Sequence, residues 1–275
     1  MAGTTEATSL FRRIDGNVVE PTDLARGPWD PKALHGGPVA ALIAQAIEEL
    51  PADGVAWFVS RLTVELERPV TLQPLVVETE ITRPGRKVSV VDATLRLAST
   101  GSVLARARAL RIREADVALP HDDETLAPML ERPPAPLGPE HGTDEETLAS
   151  DYIAFHNGAV AHRFIALPNA VNGAVFDWIR LLVPVLPDRP LTSLQRIAAA
   201  ADFANGISHV LAFESHLFLN PELTIHLFHP MRGEWVGMAS TTYHGPRGVG
   251  MSDTALFDID GRIGHSNQSL LLDVR

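Results

Sequence analysis

Asp202 is the single carboxylate in a stretch otherwise built from small and apolar residues, Ile197-Ala-Ala-Ala-Ala-Asp-Phe-Ala-Asn-Gly206. Between Leu194 and Ala204 the polar positions are Gln195, Arg196 and Asp202, so a helix here is apolar around most of its circumference and must be largely buried. An ionised carboxylate placed there is desolvated, which raises its pKa and strains the fold unless donors meet it; such a group is a candidate general base. A structural Asp that accepts backbone amides at the helix end fits as well, and the local sequence does not separate the two. A second chemical signal is His35-Gly36-Gly37 ahead of Pro38. The unpaired amides and positive dipole end of a helix that starts there can hold a carbonyl oxygen. Glycines that let a loop pass close to another segment are the competing explanation, and His35 reads equally as a catalytic or a loop histidine. A third is the basic cluster Arg83-Pro-Gly-Arg86-Lys87, which suits the phosphates of a small ligand.

Other patterns carry less. Gly206-Ile-Ser208-His-Val210 lacks the last glycine of a nucleophile elbow and follows a helix instead of preceding one. His226 and His229 fall on opposite sides of a strand and no H-E-x-x-H occurs, so no metal is expected. Gly245-Pro-Arg-Gly-Val-Gly250 reads as a hairpin turn. Arg106, Arg108, Arg111 and Arg113 read as a solvated strand face.

Composition narrows the classes. The 275 residues carry a net charge of -11 and no cysteine, which excludes disulfides and thiolate chemistry, disfavours nucleic acid as a partner and fits a cytoplasmic protein. No apolar run reaches the ~18 residues of a membrane helix, and Met-Ala-Gly-Thr-Thr-Glu has no basic, then apolar, leader pattern.

The elements that must position these groups follow from periodicity. Residues 1–8 are small and polar and are expected to be disordered. Leu10 to Ile14 and Val18-Val19 flank Asp15-Gly16 as a hairpin. Val39 to Leu50 is a buried helix closed by Pro51. Strands follow at Trp57 to Glu67, Leu75 to Thr82, Val88 to Leu97 and Val103 to Ile112. Residues 114 to about 150 are rich in proline and acids and read as a linker. A second hairpin, Ala159 to Ala166 and Ala174 to Val183, leads to the Asp202 helix, with Ser193 as N-cap and Asn205-Gly206 as a left-handed C-cap. Four strands close the chain: Leu223 to Phe228, Trp235 to Tyr243, Val249 to Asp258 and Ile263 to Val274.

The order of elements occurs twice. A shift of 161 residues superposes Thr63 on Thr224, Leu66 on Leu227, Pro69 on Pro230, Arg86 on Arg247, Val88 on Val249, Asp92 on Asp253 and Leu95 on Leu256, the mark of an internal duplication. The fold class expected is α+β, a tandem (double) hot-dog in which two curved antiparallel sheets each wrap a central helix. Its halves would be residues 1–115 and 151–275, with 116–150 between them.

Over nearly its whole length the chain resembles the acyl-CoA thioesterase II branch of the double hot-dog thioesterases. The matches are His35-Gly-Gly-Pro-Val-Ala-Ala-Leu42, Arg61-Leu-Thr-Val-Glu-Leu66, Arg83-Pro-Gly-Arg-Lys-Val88, Asn220-Pro-Glu-Leu-Thr-Ile-His-Leu227 and Gly264-His-Ser-Asn-Gln268. The resemblance implies hydrolysis of acyl-CoA without a cofactor. It implies that an Asp on the second helix, a hydroxyl on the next strand and a Gln on the last strand hold the attacking water. Asp202 and Gln268 fill the outer roles. The middle one falls on Asn220, which cannot be a nucleophile, with Thr224 as the alternative if the register moves by four. The first helix has no acid between His35 and Glu48, so one working site per chain is expected, with a medium or long acyl chain running along the alanine-rich helices. A dehydratase of the same fold, or a non-catalytic acyl-binding protein, are the competing functions, and a homo-oligomer is left open.

Overall fold

The computed structural model describes residues 7–52, 54–144, 151–167 and 174–275. Residues 1–6, most of the segment expected to be disordered, lie outside them, as does 145–150 of the expected linker; Ala7 already packs on the core. β1 (Phe11–Asp15) and β2 (Val18–Pro21) form the first hairpin around Gly16, whose φ of +49° is the left-handed conformation that the tight turn needs. Helix α1 (Gly36–Glu48) precedes β3 (Trp57–Leu66), β4 (Leu75–Arg83), β5 (Val88–Leu97) and β6 (Val103–Arg113). Two single turns follow, α2 (Ala127–Leu130) and α3 (Phe155–Gly158). The second half runs β7 (Val160–Ile165), β8 (Val175–Leu181), α4 (Ser193–Ala201), α5 (Ala204–Ser208), β9 (His216–Leu219), β10 (Glu222–Leu227), β11 (Trp235–His244), β12 (Val249–Asp258) and β13 (Gly261–Val274).

The thirteen strands among the described residues join one antiparallel sheet in the order β1-β2-β4-β5-β6-β3-β10-β13-β12-β11-β8-β7, with β9 beside the end of β13. Read from its two ends inward, that order is the same series of elements twice. The halves meet at β3 and β10, where Thr63 pairs with Thr224 and their hydroxyls stand 3.3 Å apart. These residues are 161 positions apart, the shift of the sequence repeat, so a pseudo-twofold axis passes between them. Joining edge to edge covers the strand that each half would otherwise leave open.

On the inner side α1 and α4 lie side by side and antiparallel, with His35 beside Asp202 at one end and Glu48 beside Thr192 at the other. Alanines make the contact possible. Ala40, Ala41 and Ala44 on α1 and Ala198 to Ala201 on α4 are all at most 1% exposed, and a Cβ on Gly37 would lie 2.5 Å from the Ala199 carbonyl oxygen. The larger apolar residues of α1, Ile43 and Ile47, are 0% and 1% exposed, each contributing about 1.5–3 kcal/mol by burial.

Several local expectations need correction. Thr192, not Ser193, caps α4: its hydroxyl accepts from the Gln195 amide at 3.2 Å, and Gln195 Oε1 reaches back to the Thr192 amide. The helix does not run on to a left-handed cap at Asn205-Gly206. It breaks after Ala201 and resumes as α5 with Asn205 and Gly206 inside it, and the buried Asn205 amide donates to Gln268 Oε1 on β13. Strand β9 had no alternation long enough to reveal it. Arg106 and Arg108 are solvated and paired with Glu67 and Asp92, but Arg111 is 5% exposed, on the inward face it shares with Ala105, Ala107 and Ala109. The proline-rich segment is in part tied down on the second half, where Arg132 bonds Asp258 and Trp178 Nε1 donates to the Leu137 carbonyl. No helix among the described residues is long and apolar enough to cross a membrane.

Candidate active site

The end of α4 meets the start of α1 at Asp202, which is 8% exposed. As the residue closing α4 it keeps helical φ and ψ, so its side chain projects from the break toward the N-terminus of α1. His35, the N-cap of α1, places Nδ1 2.8 Å from Asp202 Oδ2. With that nitrogen protonated toward the carboxylate, the Gly37 amide, 3.1 Å from His35 Nδ1, has the same carboxylate as its acceptor. Asn220 Nδ2 donates to Oδ1 at 2.7 Å, and Gln268 Nε2 lies 3.2 Å from the Asp202 carbonyl and 3.4 Å from Oδ1.

These contacts decide the state of the acid. Burial pushes the Asp202 pKa up, but the charge and hydrogen bond of His35, the Asn220 amide and the Gly37 N–H outweigh it and hold the carboxyl below its ordinary value. Asp202 is therefore ionised at neutral pH and well satisfied, not the strained carboxylate that the sequence led us to expect.

Supporting residues fix each of these groups. Asn205 donates its backbone N–H to Gln268 Oε1 at 3.1 Å, which turns the Gln268 amide so that Nε2 faces Asp202. Its own side chain donates to the Phe218 carbonyl at 2.9 Å. Gln268 is fully buried, on β13 opposite Ser252. Gly36 has no room for a side chain: a Cβ there would lie 2.6 and 2.7 Å from the two Asp202 oxygens. The His35 ring packs against Phe155 and Phe203, at centroid distances of 5.1 and 4.7 Å.

A cavity of about 430 Å³ opens onto Asp202, Asn220, His35 and Gly36. Its walls are mostly apolar, from Trp29, Leu34, Val39, Val70, Phe203, Phe213 and Phe218. At the rim Trp29 stacks on Phe213 at 4.2 Å, and the Arg275 guanidinium lies over both rings. The alanine faces of the helices, expected to line a tunnel, serve close packing instead. Thr224 is not in this cavity; it sits at the pseudo-twofold axis, bonded to Glu222 and Thr63. Arg83, Arg86 and Lys87 are exposed at the β4–β5 turn, outside the cavity lining, while Arg68 belongs to it. Sequence reasoning missed Asn205 and the aromatic wall; Asn205 was hidden because Asn-Gly is a stronger signal for a helix stop than for a buried support. Among the described residues no cluster of three or more His, Asp or Glu is arranged to hold a metal ion.

An anionic base caged by amides at the floor of an apolar cavity, beside a helix N-terminus, suits attack of water on an acyl carbonyl. Known structures share the fold. A hot-dog-fold protein from Alicyclobacillus acidocaldarius is 16% identical, covers 96% of both chains and superposes with a TM-score of 0.72. The tesB protein of Mycobacterium avium subs paratuberculosis is 13% identical over 97% of this chain and 96% of its own, with a TM-score of 0.67. The acyl-CoA thioesterase II TesB2 of Mycobacterium marinum is 15% identical over 96% of both, with a TM-score of 0.64. No curated protein sequence matches significantly. The acyl-CoA thioesterase N-terminal domain matches residues 25–112 and the C-terminal domain residues 129–272; with its double hot-dog fold, the chain belongs to the acyl-CoA thioesterase family and is a thioester hydrolase.

Proposed function

We propose that the protein hydrolyses medium- or long-chain acyl-CoA at the Asp202 cavity, with water activated by Asp202. The observation that carries this reading is the carboxylate itself, ionised by its hydrogen bonds and exposed to an apolar cavity on one side. Asn220 and Gln268 aim the water. Asp202 takes its proton as the water oxygen bonds to the acyl carbon, and the oxyanion forms at the start of α1, where the Gly36 amide has no described acceptor. Collapse breaks the C–S bond, and the proton passes to the departing thiolate. Because a thiolate leaves easily, no further general acid is needed beside the base.

The 2.8 Å contact of His35 with Asp202 favours one second reading, in which Asp202 orients His35 and the imidazole is the base. The CoA phosphates have two candidate anchors: the turn of Arg83, Arg86 and Lys87 proposed from sequence, and the rim residues Arg68 and Arg275. Replacing each set by alanine and measuring KM for acyl-CoA separates them; the set that matters raises KM without changing kcat. Both repeats, 1–115 and 151–275 joined by 116–150, are needed for one site, and the protein works in the cytoplasm, with neither nucleic acid nor metal as a partner. The test of the function is release of free thiol from a panel of acyl-CoAs of increasing chain length. A dehydratase or a non-catalytic binder releases none, and that result would remove the proposal.

A further inference from the structure

The other end of the helix pair holds a second cavity, of about 310 Å³, where α1 ends and α4 begins. Its walls are mainly apolar, from Ile47, Leu50, Trp57, Ile197 and Met231. Into it reaches the guanidinium of Arg111, 5% exposed and stacked over the Trp57 ring at 5.3 Å. One of its nitrogens, Nη2, donates to Ser89 at 3.1 Å; Nε is buried without an acceptor, and among the described residues no carboxylate lies within 4 Å. Burial depresses the Arg111 pKa from its high ordinary value, with no opposing charge to offset it. Glu48 on the rim makes no ion pair with Arg111 and contributes nothing to its pKa; Glu48 Oε2 accepts from Thr192 at 2.7 Å and from Gln195 at 3.2 Å instead.

A buried cation without a counter-charge is costly, and an isolated one calls for an anion. The ligand must bring one negative charge and an apolar body. A second charge would be left unmatched, since Arg111 is the only cationic side chain of fixed charge among the lining residues. At roughly 30 Å³ for each water-sized group, the cavity holds on the order of ten non-hydrogen atoms. The N-terminus of α4 adds its positive end to the same wall through Ser193 and Leu194. We propose that this cavity is a second ligand site, separate from hydrolysis at Asp202, which binds a medium-chain monocarboxylate with its head on Arg111.

Octanoate is a probe of the right size, and Trp57 is a reporter inside the cavity. In a Trp29→Phe background, which removes the tryptophan of the Asp202 cavity, octanoate should change the emission saturably. Arg111→Gln should weaken that binding by tenfold or more, keep acyl-CoA turnover within twofold, and leave Tm level or higher because an unmatched charge is gone. Octanol, with the same tail and no charge, should bind the unaltered Arg111 protein at least tenfold more weakly than octanoate, a comparison that needs no folded Arg111 variant. Equal affinity for octanol and octanoate, no saturable change, or unaltered octanoate affinity in Arg111→Gln would overturn the proposal.

Discussion

The two cavities occupy equivalent places about the pseudo-twofold axis, and they differ in the groups that make chemistry possible. Phe218, Leu219 and Asn220 in the first correspond, at the shift of 161, to Trp57, Phe58 and Val59 in the second. Leu66, Pro69 and Val70 in the first correspond likewise to Leu227, Pro230 and Met231. Gln268 pairs with Ser252 as Ala109 pairs with Val91, so Ala109 is its counterpart. Each end even keeps a carboxylate bonded to the N-cap of the opposite helix, Asp202 to His35 and Glu48 to Thr192. The Asn220 and Gln268 amides are replaced by the isopropyl group of Val59 and the methyl of Ala109. Without them the Glu48 carboxyl is raised above its ordinary value by burial, only partly offset by Thr192 and Gln195, whereas Asp202 is held below. A carboxylate at a helix junction is thus common to both ends, and what distinguishes the first is the ring of donors that holds its carboxyl below the ordinary value.

That contrast can be broken at its tightest point. Gly36→Ala puts a methyl against both Asp202 oxygens, displacing the base and crowding the oxyanion donor together; turnover should fall about 10³-fold. A thiol-release assay on variant protein with an unchanged circular dichroism spectrum checks it. Next in size is the conversion of the first end toward the second. The double variant Asn220→Val with Gln268→Ala should lose on the order of 10²-fold in kcat, with a smaller change in KM; kcat near that of the parent would mean that neither amide aims the water.

A pH profile sharpens the comparison with a smaller effect. Asp202 has a folded-state pKa below its unfolded value, so its ionisation stabilises the fold above the ordinary carboxylate range, and that contribution is lost as pH falls through the folded-state value. The activity of an Asp202 base should accordingly hold from neutral pH down through the ordinary carboxylate range and fall only below it. An acid limb in the histidine range would instead favour the second reading, with imidazole as the base.

Much of this was legible in the chain, for physical reasons that also mark where legibility stops. Strands such as Val88–Leu97 and Val249–Asp258 were read to the residue because β-branched and alternating positions are bounded by turn residues. Asp202 stood out because a charge among alanines has to be accounted for. Gln268 did not, since an amide on an alternating strand looks the same buried or exposed, and its partner Asn205 is 63 positions away. Arg111 was misread because it follows Arg106 and Arg108, although a period of two places it on the opposite face, with Ala107 and Ala109. The role of Thr224 at the pseudo-twofold axis needed the strand pairing, which no local pattern carries.

The most direct test compares the two carboxylates in one experiment: kcat per folded molecule for Asp202→Asn beside Glu48→Gln. Asp202→Asn breaks a buried, hydrogen-bonded pair and should cost about 1–3 kcal/mol of stability, so melting temperature alone does not identify a catalytic role and turnover must be scaled to folded protein. Turnover should fall by about 10²-fold or more in Asp202→Asn and change by less than about twofold in Glu48→Gln. Turnover retained in folded Asp202→Asn, or lost to a similar degree in Glu48→Gln, would contradict this.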